Sequence, residues 1–477
     1  MVFSSPVFLF LFLPLALALY FVGPRAARTP FLVAVSLLFY AWGEKQIVWL
    51  LVVSIALNWA LALAVEHARG RRLADLLLAA AVVLDIGGLV YFKYTNFLVA
   101  NLNFVLRRFG HTSIDVAPVH LPIGVSFVTF EALSYVIDVY RGETRAARNP
   151  LHVAFYVSFF PHLIAGPILR FDDIAPDVAR PVVSHTAFDD GVSRFIIGLG
   201  KKMLLANPLG AIADTIFGLQ RHELGTAAAW LGIVAYALQI YFDFSGYSDM
   251  AIGLGKLFGF TLPTNFRLPY SARSIKDFWR RWHISLSSWF RDYLFIPLGG
   301  SRAGRARTYF NLLVVFFLCG LWHGASWTFV IWGLFHGTFL VLERLPFGAW
   351  LERTSRPAAH AYTLAVVLVG WVFFRADTVG HALSYLRALS GFAPTIGRPL
   401  GDYLTMRVDL ALLVGVPLAT LPLAAWFRTL QKRVATEGTW RAPVARLGIA
   451  ALELVLLAAS ILFVAADTYN PFIYFRF

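Results

Sequence analysis

The sequence contains a single cysteine, Cys319, and few charged residues. One cysteine excludes an intrachain disulfide and any zinc site built from several thiolates. Charged residues make up only 14% of the 477 positions, against about 25% in soluble domains. Hydrophobic residues make up 58% of the chain, and apolar runs of about 20 residues recur along it. We therefore predict an all-α polytopic membrane protein.

Several chemical motifs are absent as well. The chain has no Gly-rich phosphate loop and no Gly-x-Ser-x-Gly elbow. The sequence therefore gives no indication of ATP hydrolysis or of serine-hydrolase chemistry. It has no His/His or His/Glu pair at i, i+4 on one apolar face, so we predict no metal site. The net charge of +14 is scattered between apolar runs, which favours basic cytoplasmic loops over a nucleic-acid surface.

The apolar runs predict about 11 or more transmembrane helices. Residues 3–23 lack a basic n-region and a convincing cleavage site, so we expect a retained first span. Arg25 and Arg28 follow this span and mark its cytoplasmic end, so we predict that the N-terminus lies on the outer side of the membrane. A span over residues 94–108 would place the basic stretch 141–148 outside, against the positive-inside rule. We therefore predict that residues 94–108 form an interfacial or partial helix. The other apolar runs cover residues 31–43, 46–65, 73–92, 119–140, 151–169, 192–217, 227–252, 308–342, 361–374, 408–427 and 447–466.

The segment 263–307 interrupts the apolar runs and carries a net charge of +7, half that of the chain. Tryptophan and tyrosine are interleaved with its basic residues, a pattern typical of the membrane interface. We predict a cytoplasmic-side amphipathic or re-entrant element and not a span. Its acids are Asp277 and Asp292, and its basic residues are Arg267, Arg273, Lys276, Arg280, Arg281, Arg291, Arg302, Arg305 and Arg307.

The stretch 308–342 carries no charged residue and contains His323 near its centre. One straight helix over this stretch would be about 52 Å long, whereas the hydrocarbon core is about 30 Å thick. The stretch must therefore tilt, break or form two helices, and its glycines are natural bending points. An ionisable side chain at this depth is costly and points to function. The glycines are Gly320, Gly324, Gly333 and Gly337.

His323 is the first candidate for chemistry, as a general base or as a nucleophile that relays an acyl group. An imidazole has a reference pKa of about 6.5, which suits proton transfer at neutral pH. The alternative is a neutral histidine that bonds across a helix interface. Cys319, one turn earlier, is expected to be a small packing residue and not a nucleophile. His336 would lie about 220° from His323 round a straight helix, so we interpret it as structural.

His283 lies in the basic segment, in RRWHISLSSWFRDYLF. On one helix, Arg280, His283 and Ser287 would share a face. A histidine flanked by arginines, Arg281 included, could bind an anionic donor or shuttle a proton. It could equally be an interfacial histidine that touches lipid headgroups.

Other polar side chains lie inside apolar runs, and each needs a buried partner or a water-filled cavity. Asp243 clusters with Ser245 and Tyr247 in FDFSGYSDM, which favours buried hydrogen-bonding scaffolding over direct catalysis. The polar residues of this kind are Asp85, Glu131, Asp138, His162, Gln239, Asp243, Asp249 and Arg375.

Six stretches of the chain are long and specific enough to compare with known families. They are LPIGVSFVTFEALSYVIDVYRG (121–142), FFPHLIAGPILR (159–170), FDFSGYSDMAIGLGKLFGF (242–260), FWRRWHISLSSWFRDYLFIPLGG (278–300), LWHGASWTFVIWGLFHG (321–337) and NPFIYFRF (470–477). Together they resemble the membrane-bound O-acyltransferase (MBOAT) family. The resemblance is strongest to its bacterial branch of alginate O-acetylation (AlgI) and teichoic-acid D-alanyl transfer (DltB) proteins, and it covers essentially the whole chain.

The resemblance implies the MBOAT fold, in which transmembrane and re-entrant or interfacial helices ring a thin central core with funnels from both sides. It implies that His323, in the WHG motif, is catalytic and that His283, in RWHxSLS, is the second site residue. We expect one membrane domain over residues 1–477, in the inner membrane. The candidate donor-binding residues are Arg280, Arg281, Ser287, Asp243 and Trp322.

The implied reaction takes an acetyl group from a cytoplasmic donor, acetyl-CoA or another acyl thioester, and passes it across the membrane. A periplasmic SGNH-type acetyltransferase would then O-acetylate an exopolysaccharide such as alginate, and no permanently bound cofactor is expected. Alternatives within the class are D-alanylation of teichoic acid and acetylation of cellulose or peptidoglycan. Alternatives of other classes are a secondary transporter, although no inverted repeat is found, and a non-catalytic scaffold.

Overall fold

The computed structural model describes residues 1–178, 181–393, 395, 397–423, 441–466 and 469–472. Across these ranges all regular secondary structure is helical. Seven helical stretches among them are long and apolar enough to cross a membrane, or eight if one bent pair counts as a span. The predicted all-α polytopic class is therefore confirmed, while the larger number of about 11 helices stays a prediction.

The chain divides into two compact units, which we describe separately. The first unit consists of Met1–Val192 and Ala251–Pro263, and the second of Ser193–Met250 and Thr264–Phe477. The first eight α-helices of the chain belong to the first unit. They are α1 (Leu13–Val22), α2 (Arg28–Glu44), α3 (Val48–His67), α4 (Arg72–Arg108), α5 (Val125–Arg141), α6 (Pro150–Ser158), α7 (Phe160–Leu163) and α8 (Phe171–Val178).

Two sequence-based predictions for the first unit are wrong. Residues 94–108 do not form a separate interfacial helix, because they continue the 37-residue helix α4. Neither a proline nor a glycine follows Gly88 in that helix, so nothing in the sequence ends it there. Residues 151–169 do not form one span, because Phe159 leaves the helical conformation between α6 and α7. Pro161 explains this break, since it cannot donate a hydrogen bond to the preceding turn.

Two of the polar residues buried in the first unit, Glu131 and His162, lie against each other. His162 Nδ1 lies 3.2 Å from Glu131 Oε1, and both side chains are fully buried. The same carboxylate oxygen accepts a hydrogen bond of 3.1 Å from the backbone N–H of Leu169. These contacts hold the non-helical segment after α7 against α5, because they satisfy one oxygen of a buried carboxylate.

The remaining helices follow in order along the chain. The predicted run 408–427 is helical from Met406 to Thr420, and its end lies outside the described residues. The helices are α9 (His185–Gly200), α10 (Asn207–Phe217), α11 (Thr226–Leu257), α12 (Ile275–Trp279), α13 (Ile284–Phe290), α14 (Arg305–His323), α15 (Trp327–Leu342), α16 (Pro346–Arg353), α17 (Arg356–Arg375), α18 (Val379–Leu389), α19 (Met406–Thr420) and α20 (Arg441–Ala466).

Half-buried ion pairs of the second unit join helices that are distant in sequence. The carboxylate of Asp249 accepts hydrogen bonds from Arg194 Nε at 3.0 Å and from Lys201 Nζ at 2.6 Å. Arg375 Nη2 lies 2.6 Å from Asp214 Oδ1. Asp249 and Arg375 thus each have an ionic partner, although these partners are half-buried, and each pair spares a charge the cost of isolation.

The uncharged stretch 308–342 forms two helices, as its length predicts. Helix α14 ends at His323 and α15 begins at Trp327. Glycines let the two helices approach closely: a Cβ built on Gly320 would lie 3.3 Å from the Cα of Gly333. Such small-residue contacts are a usual means of helix association in membranes.

The basic segment 263–307 contains short helical pieces up to residue 304, and its last three residues begin α14. Its position at the membrane interface stays a prediction. Glu343, one residue beyond α15, accepts hydrogen bonds from the N–H groups of Ile275 (2.6 Å) and Lys276 (3.0 Å). Its carboxylate thereby satisfies the free donors at the start of α12 and suits the positive end of that helix. This contact holds α12 against the end of α15.

Candidate active site

His323 is the last residue of α14, at the point where the chain reverses. Gly324 follows in an extended conformation, with φ −166° and ψ 150°. A Cβ on Gly324 would collide with the ring of Phe329, so only glycine fits directly after the histidine. The sequence WHG therefore places an imidazole at a helix end in the middle of the uncharged stretch, where it is only 5% exposed.

Aromatic rings surround His323 on several sides. The ring of Trp332 stands 5.0 Å away at 86°, and that of Phe374 stands 5.1 Å away at 71°. The preceding Trp322 lies 4.9 Å away at 83°. These edge-to-face contacts hold the imidazole in one orientation and exclude water from it. An oriented imidazole in a dry pocket suits proton transfer or acyl relay.

His283 is fully buried between α12 and α13 in a left-handed conformation, with φ 43° and ψ 58°. For a non-glycine residue this conformation costs about 1–2 kcal/mol, and strain of this kind clusters at functional sites. The prediction that Arg280, His283 and Ser287 share one helical face is wrong. The helix stops at Trp279 and starts again at Ile284, so no single helix carries all three residues.

Asn265 fixes the ring of His283. His283 Nδ1 lies 3.3 Å from Asn265 Oδ1. The same oxygen accepts hydrogen bonds of 3.0 Å from the N–H and from the hydroxyl of Ser285. Because Asn265 Oδ1 is an acceptor, Nδ1 carries the ring proton and Nε2 keeps the lone pair. Burial lowers the pKa of His283 to about 3, so the ring is neutral at physiological pH.

The two candidate histidines meet at one tryptophan. The ring of Trp322 lies 6.0 Å from that of His283 and 4.9 Å from that of His323. The ring of Phe244 also packs edge to face against that of His283, with 4.7 Å between the ring centroids. The structure thus brings together His283, His323 and Trp322, three of the residues that the sequence singles out.

His336 also joins this cluster, which the straight-helix argument does not predict. The break after His323 turns α15 back, so that both His323 and His336 contact Trp332, at 5.0 Å and 5.2 Å. The His336 ring also stacks on Phe278, at 6.5 Å and 10°. It is fully buried, and within the described ranges neither of its ring nitrogens has a hydrogen-bond partner.

The candidate donor-binding residues take different positions. Arg281 Nε donates to Asp277 Oδ1 at 2.9 Å, and its Nη1 donates to Ser271 Oγ at 3.2 Å. Arg280 is exposed. The hydroxyl of Ser287 donates to the carbonyl of Trp282 at 3.4 Å. Arg281 therefore serves the fold of the basic segment, while the Arg280 side chain faces outward.

Asp243 is held in a buried ion pair. Its Oδ1 lies 2.8 Å from Lys202 Nζ, and both side chains are at most 5% exposed. Lys202 Nζ also donates to the carbonyl of Pro471. Asp243 thus has a scaffolding contact in the second unit, and its role in donor binding stays a prediction. The sequence gives no signal for Lys202 or Asn265, because neither lies in a motif or a periodic pattern that marks it.

Comparison with known proteins identifies the family. Residues 91–374 match the model of the membrane-bound O-acyltransferase family. The chain belongs to this family. It is therefore an O-acyltransferase of the MBOAT type, and His283, Trp322 and His323 all lie within the matched region.

Full-length relatives support the same assignment. Over 495 residues the MBOAT chain is 42% identical to a protein of Pseudomonas putida named probable alginate O-acetylase AlgI, with all of both chains covered. It is 42% identical over 509 residues to the protein of that name from Azotobacter vinelandii, again over all of both chains. A peptidoglycan O-acetyltransferase of Helicobacter pylori is 36% identical over 431 residues, which cover 82% of this chain and 80% of that one.

Proposed function

We propose that this MBOAT protein passes an acetyl group from a cytoplasmic thioester, acetyl-CoA or a close analogue, across the inner membrane for O-acetylation of an exopolysaccharide such as alginate. The observation that carries the proposal is the contact of His283 and His323 with the same buried indole, that of Trp322. Full-length similarity to proteins named probable alginate O-acetylase supports the polysaccharide class.

His323 is the proposed catalytic base. It takes the proton of the acceptor hydroxyl while the hydroxyl oxygen attacks the thioester carbonyl. The new ester C–O bond forms, the C–S bond breaks, and the thiol leaves with the proton. The acceptor hydroxyl belongs to a periplasmic SGNH-type acetyltransferase or to the polysaccharide that it serves. His283, neutral and fixed by Asn265, accepts a hydrogen bond through Nε2 and orients the reacting group.

The donor side of the reaction is assigned to the basic segment 263–307. Its net charge of +7 attracts the phosphates of a donor such as coenzyme A. Arg280 is exposed and forms the first contact with them. In this proposal the segment faces the cytoplasm, and the chain acts as one catalytic domain.

The test uses a host strain in which the gene has been deleted and restored with variants. His323→Gln should lower the ester content of the purified exopolysaccharide at equal protein level, since loss of a general base costs about 10²–10⁴ in rate. Cys319→Ala, one turn earlier on α14, is the matched control and should keep most of the activity. Wild-type acetylation by well-expressed His323→Gln would reject an enzymatic role for the histidine and favour a scaffold.

Peptidoglycan is the second candidate acceptor, because the H. pylori relative carries that activity in its name. The same strains should be assayed for acetyl esters on purified peptidoglycan and, where the host makes them, for esters on cellulose and teichoic acid. Loss of ester from peptidoglycan alone in the His323→Gln strain would move the acceptor from exopolysaccharide to the cell wall.

A further inference from the structure

A partly open cavity of about 150 Å³ lies in the first unit among α3, α4 and α5. Its wall is largely apolar, with Leu57 and Leu61 from α3, Leu84 and Phe92 from α4, and Val125 from α5. A cavity of about this volume takes a benzene-sized group in a protein core. This one therefore accommodates a short piece of an alkyl chain.

Polar side chains interrupt the apolar wall, namely Tyr40, Ser54, Asn58, Asp85 and Thr129, and two of them, Asn58 on α3 and Asp85 on α4, form a pair. Asn58 Nδ2 donates to Asp85 Oδ1 and to the carbonyl of Ser54, both at 3.0 Å. Because the amide nitrogen faces two acceptors, the orientation of the amide is fixed. Asn58 Oδ1 and Asp85 Oδ2 are buried and, among the residues that the structure describes, neither has a hydrogen-bond partner.

The depth of this pair restricts what can satisfy it. Asn58 is the eleventh residue of the 20-residue helix α3, about 15 Å from its start at 1.5 Å per residue. That position is near the middle of a hydrocarbon core of about 30 Å. Buried acceptors without donors destabilise a fold, and a molecule that reaches this depth through the bilayer is soluble in lipid.

We propose that this cavity binds an amphiphile whose alkyl chain fills the apolar part and whose polar end donates at least two hydrogen bonds, to Asn58 Oδ1 and Asp85 Oδ2. A primary ammonium group or a vicinal diol has this chemistry. Among the described residues that line the cavity there is one acid, Asp85, and no basic residue, so an ammonium group would also balance the carboxylate. The terminal torsion of an Asp side chain is soft, so Asp85 Oδ2 turns toward a donor at little cost.

Two adjacent glycines of α4 provide a matched test. Gly88 lines the cavity, and a Cβ built on it meets no atom within 4 Å. Gly87 has the same free space but is exposed and does not line the cavity. Gly88→Leu fills the site, whereas Gly87→Leu adds the same side chain, with the same gain in helix propensity, outside it.

The experiment uses the purified full-length protein in lipid nanodiscs and a diazirine-bearing decylamine as photoreactive probe, with the matching decane-1,2-diol in a parallel arm. Mass spectrometry should place the label on peptides of α3 and α4. Gly88→Leu should reduce this labelling at least fivefold, and Gly87→Leu should leave it unchanged. Unlabelled decylamine or decane-1,2-diol should compete, and decyl methyl ether, which has no donor, should not.

The arms also separate the two head groups. Competition by the amine that is at least tenfold stronger than competition by the diol, and that Asp85→Asn reduces to the level of the diol, would assign an ammonium group, whereas stronger competition by the diol would assign a diol. Equal competition by the methyl ether would overturn the assigned polar contacts. Labelling that is absent from α3 and α4, or the same in Gly88→Leu and Gly87→Leu, would overturn the site itself. Equal elution of both variants as single species is the check on folding.

Discussion

The imidazole of His336 lies directly against the backbone of Gly370, so that a Cβ built on Gly370 would come within 2.6 Å of His336 Nε2. Helix α17 can approach α15 this closely only because position 370 has no side chain. His336 in turn contacts Trp332, which stands against His323. Packing at Gly370 is thus connected to the orientation of the candidate base through two rings.

Gly370→Ala should lower acyl transfer although Gly370 lies outside the proposed chemistry. The added methyl group must displace His336, and overpacking of this kind costs about 1–3 kcal/mol. Ester content of the product and thermal stability of the purified protein are the two readouts. Gly380→Ala, in α18, where the nearest atom lies 4.0 Å from an added Cβ, serves as control. Unchanged activity and stability in Gly370→Ala would show that α17 can move away from His336 without cost.

The pH dependence of stability should include a contribution from His283. In the folded protein burial lowers its pKa to about 3, whereas an unfolded imidazole has a pKa of about 6.5. Between these values the unfolded chain binds the proton and the folded chain does not. The stabilising contribution is therefore complete above about pH 6.5 and is lost as pH falls, by up to about 1.4 kcal/mol per pH unit.

Thermal unfolding in detergent at pH 7.5 and at pH 5.0 measures this contribution. His283→Gln keeps a side-chain N–H for Asn265 but does not titrate, so its unfolding temperature should fall less between the two pH values than that of the wild type. The exposed His111 provides the control variant, His111→Gln. Parallel pH curves for wild type and His283→Gln would contradict a buried neutral imidazole at this position.

Breaking the Lys202–Asp243 pair should destabilise the second unit. Removal of one member leaves a buried charge without its partner, which costs about 3–5 kcal/mol. Asp243→Asn should therefore lower the unfolding temperature strongly. The double variant Lys202→Met, Asp243→Leu should recover much of the loss, because neither charge then remains. A stable Asp243→Asn protein that has lost acyl transfer would instead assign Asp243 to the reaction.

Arg280→Ala should weaken the use of the donor by about threefold, which is the scale of an exposed charge contact. The effect should shrink as salt is raised, because exposed charges are screened over about 10 Å at 0.1 M and about 3 Å at 1 M ionic strength. Initial rates against donor concentration at several salt concentrations give KM. The comparison variant is Arg291→Ala, since Asp292 already neutralises that guanidinium at 2.6 Å. Identical KM values for wild type and Arg280→Ala would remove Arg280 from the donor path.

The basic segment should face the cytoplasm, and Ser301 tests this directly because it is exposed. Ser301→Cys in a Cys319→Ala background should react with an impermeant maleimide only after the inner membrane has been opened to the reagent. The positive-inside rule is the physical basis for this expectation. Labelling of intact spheroplasts from the periplasmic face would reverse the topology and the donor side together.

The sequence was sufficient to find His323 and the break that follows it. An imidazole inside an uncharged stretch is costly at membrane depth, and the stretch is too long for one helix. The precise site of the break at Gly324 could not be chosen among four glycines from the sequence. That choice depends on the ring of Phe329, which occupies the space that a side chain at 324 would need.

The conformation of His283 could not be predicted either. RRWHISLSSW has no proline or glycine, so local propensity favours a continuous helix. Tertiary contacts override it, since the carbonyl of Asn265 accepts from the N–H of Ile284 and its side chain holds His283 and Ser285. Asn265 is separated from His283 by 18 positions, and no periodicity links the two in the sequence.

The close crossing of α14 and α15 restricts how substrates can reach His323. The backbones of Gly320 and Gly333 are nearly in contact, so neither helix can rotate or slide past the other without collision. The hairpin must therefore move as one rigid body. A route to the imidazole has to open through its other neighbours, by rotation of the Phe374 ring or by displacement of the strained turn at His283. Mobility in this enzyme is thus expected in the aromatic lining of the pocket and not in the helices that carry the proposed base.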